Sequence, residues 1–218
     1  MTTPARIAII DYRMGNLRSV QKAVEHVGGE AELINTPDAV ANADKLILPG
    51  VGAFGDGMRF LDELGFSDPI RQFVQTGKPL LGICLGMQLL FDGSEEDAPP
   101  DADNGLVTGL GILPGRIVKF DVQRGGQRLK VPQMGWNSLS WGKPDPLLNG
   151  LDPGAAVYFV HSYYAKPDDE SLTSARADYG GDFCASVHTD NLFATQFHPE
   201  KSQRVGMRIL KNFVGMNH

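Results

Sequence analysis

The run Leu80-Leu81-Gly82-Ile83-Cys84-Leu85-Gly86-Met87-Gln88-Leu89-Leu90 constrains the fold more than any other stretch of the chain. Apolar, strand-like sequence meets a glycine, a thiol follows one residue later, then a second glycine, then apolar residues at helical period. Gly-x-Cys-x-Gly between a strand and a helix predicts a nucleophile elbow, a tight turn that lifts its central side chain above the end of a sheet. Small residues two positions to either side leave the turn room. The following helix is expected to point its N-terminus at the sulfur and favour thiolate over thiol. A lone cysteine in apolar sequence is otherwise a core residue. The elbow therefore gains meaning only if the rest of the chain supplies what a thiolate needs.

The flanking sequence supports the sheet that such an elbow requires. Ala5 to Ile10 reads as a buried strand, and Asn16 caps a helix with Leu17, Val20, Val24 and Val27 on one face, stopped by Gly28-Gly29. Strands are expected at Ala31 to Ile34, at Lys45 to Leu48 with an abrupt end at Pro49-Gly50, and at Leu80 to Ile83. Helices are expected around Met58 to Leu64 and Pro69 to Gln75. This alternation predicts an α/β fold, a parallel sheet covered by helices on both faces. Glu95 to Asn104 is acidic and proline-bearing and reads as an exposed, mobile loop. Beyond it, Arg116 to Phe120, Leu139 to Trp141, Val157 to Tyr164, Leu172 to Tyr179, Phe183 to His188 and Leu192 to Phe197 read as strands, the last pairing back across Thr189-Asp190-Asn191. A final helix from Ser202 buries Val205, Ile209, Leu210, Phe213 and Val214. No repeat interrupts the pattern, so residues 1–218 read as one domain.

Charge narrows the partners. The formal net charge is −6 at pH 7 with no basic run, which argues against nucleic acid. The first residues, Met1 to Arg6, lead straight into a strand, with no signal peptide or spanning segment apparent, so a cytoplasmic location and no membrane partner are expected. Cys84 and Cys184 show neither CxxC nor metal-ligand spacing; reduced thiols and no metal are expected.

A thiolate nucleophile needs a base that takes a proton and later returns it to a leaving group. Of the five histidines, His26 lies near a helix end, His188 at a hairpin end, and His218 at the C-terminal residue. His198 is better placed. It follows Phe193-Ala194-Thr195-Gln196-Phe197 and precedes Pro199-Glu200, and side chains two apart in extended chain share a side. Glu200 can therefore orient the imidazole, and strand ends are where sites gather in open α/β sheets. Cys84, His198 and Glu200 then compose a nucleophile, base and orienter. The backbone N–H of Leu85 is the expected first oxyanion donor, and Gly50-Val51-Gly52, after the third strand, is the expected source of the second.

These residues resemble the class I glutamine amidotransferases, and among them the glutaminase subunits of imidazole glycerol phosphate synthases. The matching runs are Asp11-Tyr12, Met14 to Val20, Leu48 to Gly55, Gly82 to Gln88, Met134 to Asn137, Tyr158 to Tyr163 and Gln196 to Ser202. The resemblance implies a three-layer sandwich, a mostly parallel central sheet flanked by helices, with a smaller antiparallel sheet. It implies Cys84 as nucleophile, His198 as base then acid, Glu200 as orienter, and Val51 and Leu85 at the oxyanion hole. It further implies that L-glutamine is held by Gly50, Gly52, Gln88, Glu96, His161, Ser162 and Tyr163, and that no cofactor is needed. Ammonia would pass to a (β/α)8-barrel cyclase subunit in a heterodimer, with Met134, Trp136, Tyr158 and Lys201 as candidates for the docking face. Arg13 stands where glycine is expected and Gln133 where histidine is common. Rival readings are a glutaminase serving another synthase, an inactive adaptor, and a redox thiol protein, the last disfavoured because no resolving cysteine lies near Cys84.

Overall fold

The computed structural model describes residues 5–100 and 102–216. Met1–Pro4, Asp101 and Asn217–His218 lie outside the described residues, and with them the chain start and His218. Strands β1 (Arg6–Ile10), β2 (Glu30–Ile34), β3 (Lys45–Gly50) and β4 (Leu80–Cys84) lie parallel, interleaved with helices α1 (Leu17–His26), α2 (Phe54–Glu63) and α3 (Ser67–Gln75). The short helix α4 (Leu85–Leu89) leaves β4 directly. Strands β5 (Phe91–Ser94), β6 (Val107–Thr108) and β7 (Leu113–Lys119) follow, then a small hairpin of β8 (Gln123–Arg124) and β9 (Gln127–Arg128). The second half comprises β10 (Gln133–Ser138), β11 (Ala156–His161), β12 (Tyr163–Pro167), β13 (Thr173–Asp178), β14 (Asp182–Thr189), β15 (Leu192–Thr195) and α5 (Gln203–Gly215).

The main sheet runs β2-β1-β3-β4-β15-β14-β12-β7-β5-β6, with β13 added on β14. It is parallel from β2 through β15, and β15 also turns back antiparallel on β14, as the Leu192 to Phe197 reading requires. Alternation along the parallel strands sends side chains to two cores. Ala8, Ile10, Leu46 and Leu48 pack under α2, α3 and α4, while Ile7, Ile9, Ile47 and Ile83 pack under α1 and α5. The chain is thus layered helix, sheet, helix, with the separate antiparallel ribbon β10-β11 on the α5 side.

Four local expectations are corrected. Strand β3 does not stop at Leu48 but continues through Pro49 and Gly50. Its pairing with β1 ends at Ile47, so Pro49 falls where β4 is the only neighbour and its missing N–H breaks no ladder bond. Val157 to Tyr164 is two strands, broken at Ser162, because β11 pairs with β10 and β12 with β7 and β14. Leu139 to Trp141 makes only a single bridge, Ser140 to Arg176. The acidic loop starts at Glu95 as expected, directly after β5, but it is not exposed throughout, since Glu96 is half-buried and turned inward.

Candidate active site

The elbow forms as the glycine spacing predicts. Gly50 pairs with Cys84 across β3 and β4, so the Val51-Gly52 loop emerges beside the sulfur. Cys84 has φ 54° and ψ −110°, a conformation that strains any residue with a side chain, at about 1–3 kcal/mol. Close packing beneath the turn accounts for the second glycine: a Cβ at Gly86 would overlap the Leu48 carbonyl. Helix α4 has five residues. Its macrodipole is correspondingly small, and the groups that act on the sulfur are side chains rather than a long helix.

His198 is delivered from the end of β15 and fixed by backbone contacts. Its N–H donates to the Tyr158 carbonyl at 3.0 Å, and its carbonyl accepts from the Ser202 hydroxyl at 2.6 Å. Ser202 in turn accepts from the Tyr158 N–H at 3.0 Å, so α5 and β11 jointly clamp the imidazole backbone. Nδ1 lies 2.8 Å from Glu200 Oε1, with the two side chains only 2% and 1% exposed. That bond leaves Nε2 as the nitrogen for chemistry, and it is buried with no hydrogen-bond partner. Burial opposes a charge on the ring, but the Cys84 sulfur and the Glu200 carboxylate outweigh it and raise the His198 pKa to about 9. Cys84 and His198 thus lie at one site, as the triad reading requires.

A cavity of about 260 Å³ opens over these groups, lined by Val51, Gly52, Cys84, Leu85, Gln88, Glu96, Pro132, Val160, His161, Ser162, Tyr163 and His198. Every expected substrate and oxyanion residue is present except Gly50. That glycine is buried under the elbow, where a Cβ would run into the Tyr12 hydroxyl and Leu85; it shapes the turn instead of touching a ligand. Glu96 reaches the cavity because its carboxylate accepts the N–H of Phe54, the first residue of α2, at 2.8 Å. Its pKa is raised, mainly by burial, although the Phe54 bond pulls the other way.

The His161 ring is committed on both nitrogens, Nδ1 at 2.7 Å from the Tyr163 carbonyl and Nε2 at 2.9 Å from the Gln133 amide. Burial, with the His198 charge, lowers its pKa to about 4 despite the Tyr163 bond. Gln133 Oε1 is the atom placed against Nε2, but a neutral ring that donates from Nδ1 must accept at Nε2, so we assign that amide end for end, with its N–H toward the ring. Gln133 is thus a buried support for the cavity wall. Arg13 sits at φ 72°, the left-handed region that glycine enters freely, which explains the expectation of glycine at that position.

Sequence reasoning missed Pro132, Val160 and Gln196. The Gln196 amide lies 3.8 Å from the Cys84 sulfur and is fully buried. Its sequence signals were its place at the head of the matching run Gln196 to Ser202 and a polar side chain beside apolar ones. The candidate docking residues Met134, Trp136 and Tyr158 share the outer face of the β10-β11 ribbon, where Trp136 pairs with Tyr158. Met134 is 63% and Trp136 49% exposed, and Lys201 is exposed beyond Glu200. Among the described residues no group of three or more His, Cys, Asp or Glu side chains is arranged to hold a metal.

The comparisons with known proteins agree with this geometry. The family model of glutamine amidotransferase class-I matches residues 8–216. The chain is 58% identical to the imidazole glycerol phosphate synthase subunit HisH of Syntrophotalea carbinolica, covering 96% of this chain and 100% of that one. It is 53% identical to the subunit of the same name from Geobacter sulfurreducens, over 95% and 97%. Among solved structures, PurLQS from Thermotoga maritima superposes with a TM-score of 0.75 at 19% identity, covering 97% of this chain and 98% of that one. A second, described as a glutamine amidotransferase, gives 0.70 at 20% identity, over 96% and 99%. With an elbow thiol, a buried His–Glu pair and a family match over nearly its whole length, the chain belongs to the class I glutamine amidotransferases.

Proposed function

We propose that this chain is the glutaminase subunit of an imidazole glycerol phosphate synthase. It hydrolyses L-glutamine to glutamate and supplies the ammonia to a cyclase subunit, a (β/α)8 barrel, within a cytoplasmic heterodimer of histidine biosynthesis. The whole chain, 1–218, serves as one amidotransferase domain. The observation that carries the reading is the Cys84–His198–Glu200 set at a cavity of about 260 Å³, at the small end of ligand pockets and with room for an amino acid. The identity to synthase subunits, 58% and 53% over nearly full length, supports the narrower assignment.

The chemistry follows from where the proton rests. With the His198 pKa near 9, the imidazole is protonated at neutral pH and stands ready to stabilise a thiolate on Cys84, the form that reacts. The thiolate attacks the side-chain carbonyl carbon of glutamine, and the negative charge that develops on oxygen is taken by the backbone N–H groups of Val51 and Leu85. His198 Nε2–H protonates the leaving nitrogen, the C–N bond breaks, ammonia departs, and a thioester remains. Water then attacks the thioester while Nε2 takes its proton. The C–S bond breaks, glutamate leaves, and the imidazolium–thiolate pair is restored.

Substrate recognition assigns the half-buried carboxylate of Glu96 to the α-ammonium. Gly52 and the segment His161-Ser162-Tyr163 serve the α-carboxylate and amide. His161 acts there through its backbone, since both ring nitrogens are occupied. Gln88 contributes its carbonyl oxygen, because its amide nitrogen already donates to the Tyr163 carbonyl at 3.1 Å and to Gln196 at 3.0 Å. The exposed apolar face of Met134, Trp136 and Tyr158, with Lys201 beside it, is the docking surface for the cyclase.

The test is glutamate release from glutamine, measured with and without the cyclase and its nucleotide substrate. Release should be abolished by Cys84→Ala; near-normal turnover in that variant rejects the nucleophile. Copurification with a different acceptor enzyme, and stimulation by it, rejects the synthase assignment.

A further inference from the structure

Besides its His198 neighbour, the Cys84 sulfur has a second buried polar contact with no part in the reaction just described. Gln196 is fully buried, and its Nε2 lies 3.8 Å from Sγ. The orientation of that amide is fixed by a chain of bonds, not by a free choice between oxygen and nitrogen. The Tyr163 carbonyl can only accept, so the end of Gln88 that meets it at 3.1 Å is the amide nitrogen. The same nitrogen meets Gln196 at 3.0 Å, and a second donor there would leave two N–H groups face to face. Gln196 must therefore turn its oxygen to Gln88, and its own NH2 is left aimed at the sulfur. Its backbone is pinned as well, the N–H donating to the Ala185 carbonyl at 2.9 Å. Gln196 and His198 both lie in the bend that follows β15, so one segment brings both an imidazole and an amide to the same atom.

We infer that Gln196 donates a hydrogen bond to the Cys84 thiolate and, through the relay Tyr163–Gln88–Gln196, holds the sulfur in its charged form. The Val160 carbonyl, 4.0 Å from Sγ, is an acceptor and suits only the protonated thiol. A donor in a dry site favours the anion, because the charged acceptor makes the stronger bond. Gln88 is drawn into this relay by both amide hydrogens, so a ligand that displaced it would be felt at the sulfur. The inference rests on Cys84 being the nucleophile of the proposed reaction.

Alkylation of Cys84 by iodoacetamide across pH tests it, with the Cys84→Ala protein giving the background from buried Cys184. Gln196→Met keeps the volume and removes the donor. Gln196→Glu keeps an oxygen for Gln88 and replaces the donor with a carboxyl. Alkylation at neutral pH should fall about tenfold in Gln196→Met and further in Gln196→Glu, each profile moving about one unit to higher pH. An unmoved profile in either folded variant overturns the inference. Should both variants unfold, the wild-type protein decides: the side-chain amide resonances of Gln196 should titrate with the alkylation profile, and resonances that stay fixed overturn the inference. Neither readout needs turnover. A moved profile without glutamate release would keep the relay and reject the proposed reaction, and the converse would do the opposite.

Discussion

Replacing Glu200 with glutamine should separate the orienting carboxylate from the shape it occupies. The side chain is 1% exposed and its Oε1 lies 2.8 Å from His198 Nδ1, so the pair is a charge-assisted bond in a dry site. Such bonds contribute about 1.5–3 kcal/mol. At 1.36 kcal/mol per pKa unit, losing the charge should lower the His198 pKa from about 9 by roughly one to two units. The imidazolium–thiolate pair then persists over a narrower range, and a glutamine amide facing Nδ1 also permits the wrong tautomer. The expected result is a basic limb of the pH profile of glutamate release moved down by about one to two units. kcat/KM should fall about tenfold to a hundredfold, which is the same energy read as a rate. Glu200→Asp keeps the charge but loses reach and should lie between. The measurement is initial-rate glutamate release from pH 6 to 10 with the cyclase present. A basic limb that does not move in Glu200→Gln, with activity within threefold of the unaltered protein, would refute the claim that this carboxylate sets the charge on the base.

Cys84→Ala and Cys84→Gly should both lack activity, yet Cys84→Gly should match or exceed Cys84→Ala in stability by up to about 1 kcal/mol, because φ 54° strains alanine and not glycine. Urea unfolding decides, and a glycine variant clearly weaker than the alanine one would remove backbone strain from the account. Glu96→Gln should raise KM for glutamine with little change in kcat, as expected for a contact made equally in ground and transition states; a kcat loss at constant KM would place Glu96 in the chemistry. Stability should peak near pH 6.5 as far as two histidines govern it. His198 has a raised pKa, so its contribution is complete below 6.5 and is lost as pH rises through about 9. His161 has a lowered pKa, so its contribution is complete above 6.5 and is lost as pH falls through about 4. Urea midpoints across pH check this, with His198→Asn expected to flatten the alkaline limb.

Much of the site was legible because local chemistry wrote it into short runs. The elbow sets a thiol between glycines at 82 and 86, the second of which lies against the Leu48 carbonyl, so Cys84 could be placed before any coordinates. His198 and Glu200 were legible as a pair, but the extended chain expected between them is not formed: Pro199–Lys201 is a 3-10 turn capped by His198, and it is this turn that brings Glu200 Oε1 back to Nδ1. Pro49 misled because a proline usually ends a central strand, and nothing in the sequence says that β1 stops pairing at Ile47. The break at Ser162 was hidden for the same reason, since β11 and β12 are continuous apolar sequence assigned to different sheets.

Sequence alone thus picked out the groups of the proposed chemistry, an elbow thiol and a carboxylate-oriented imidazole, because each rests on neighbours within a few residues. Only the tertiary structure decided what surrounds them. Gln88, Gln196 and Tyr163 meet across as many as 108 positions of chain. His161 is silenced by a glutamine 28 residues away, and Gly50 proves to be a spacer under the turn. Those partnerships depend on which strands become neighbours, and long-range pairing is set by the packing of the whole sheet, which no local pattern records.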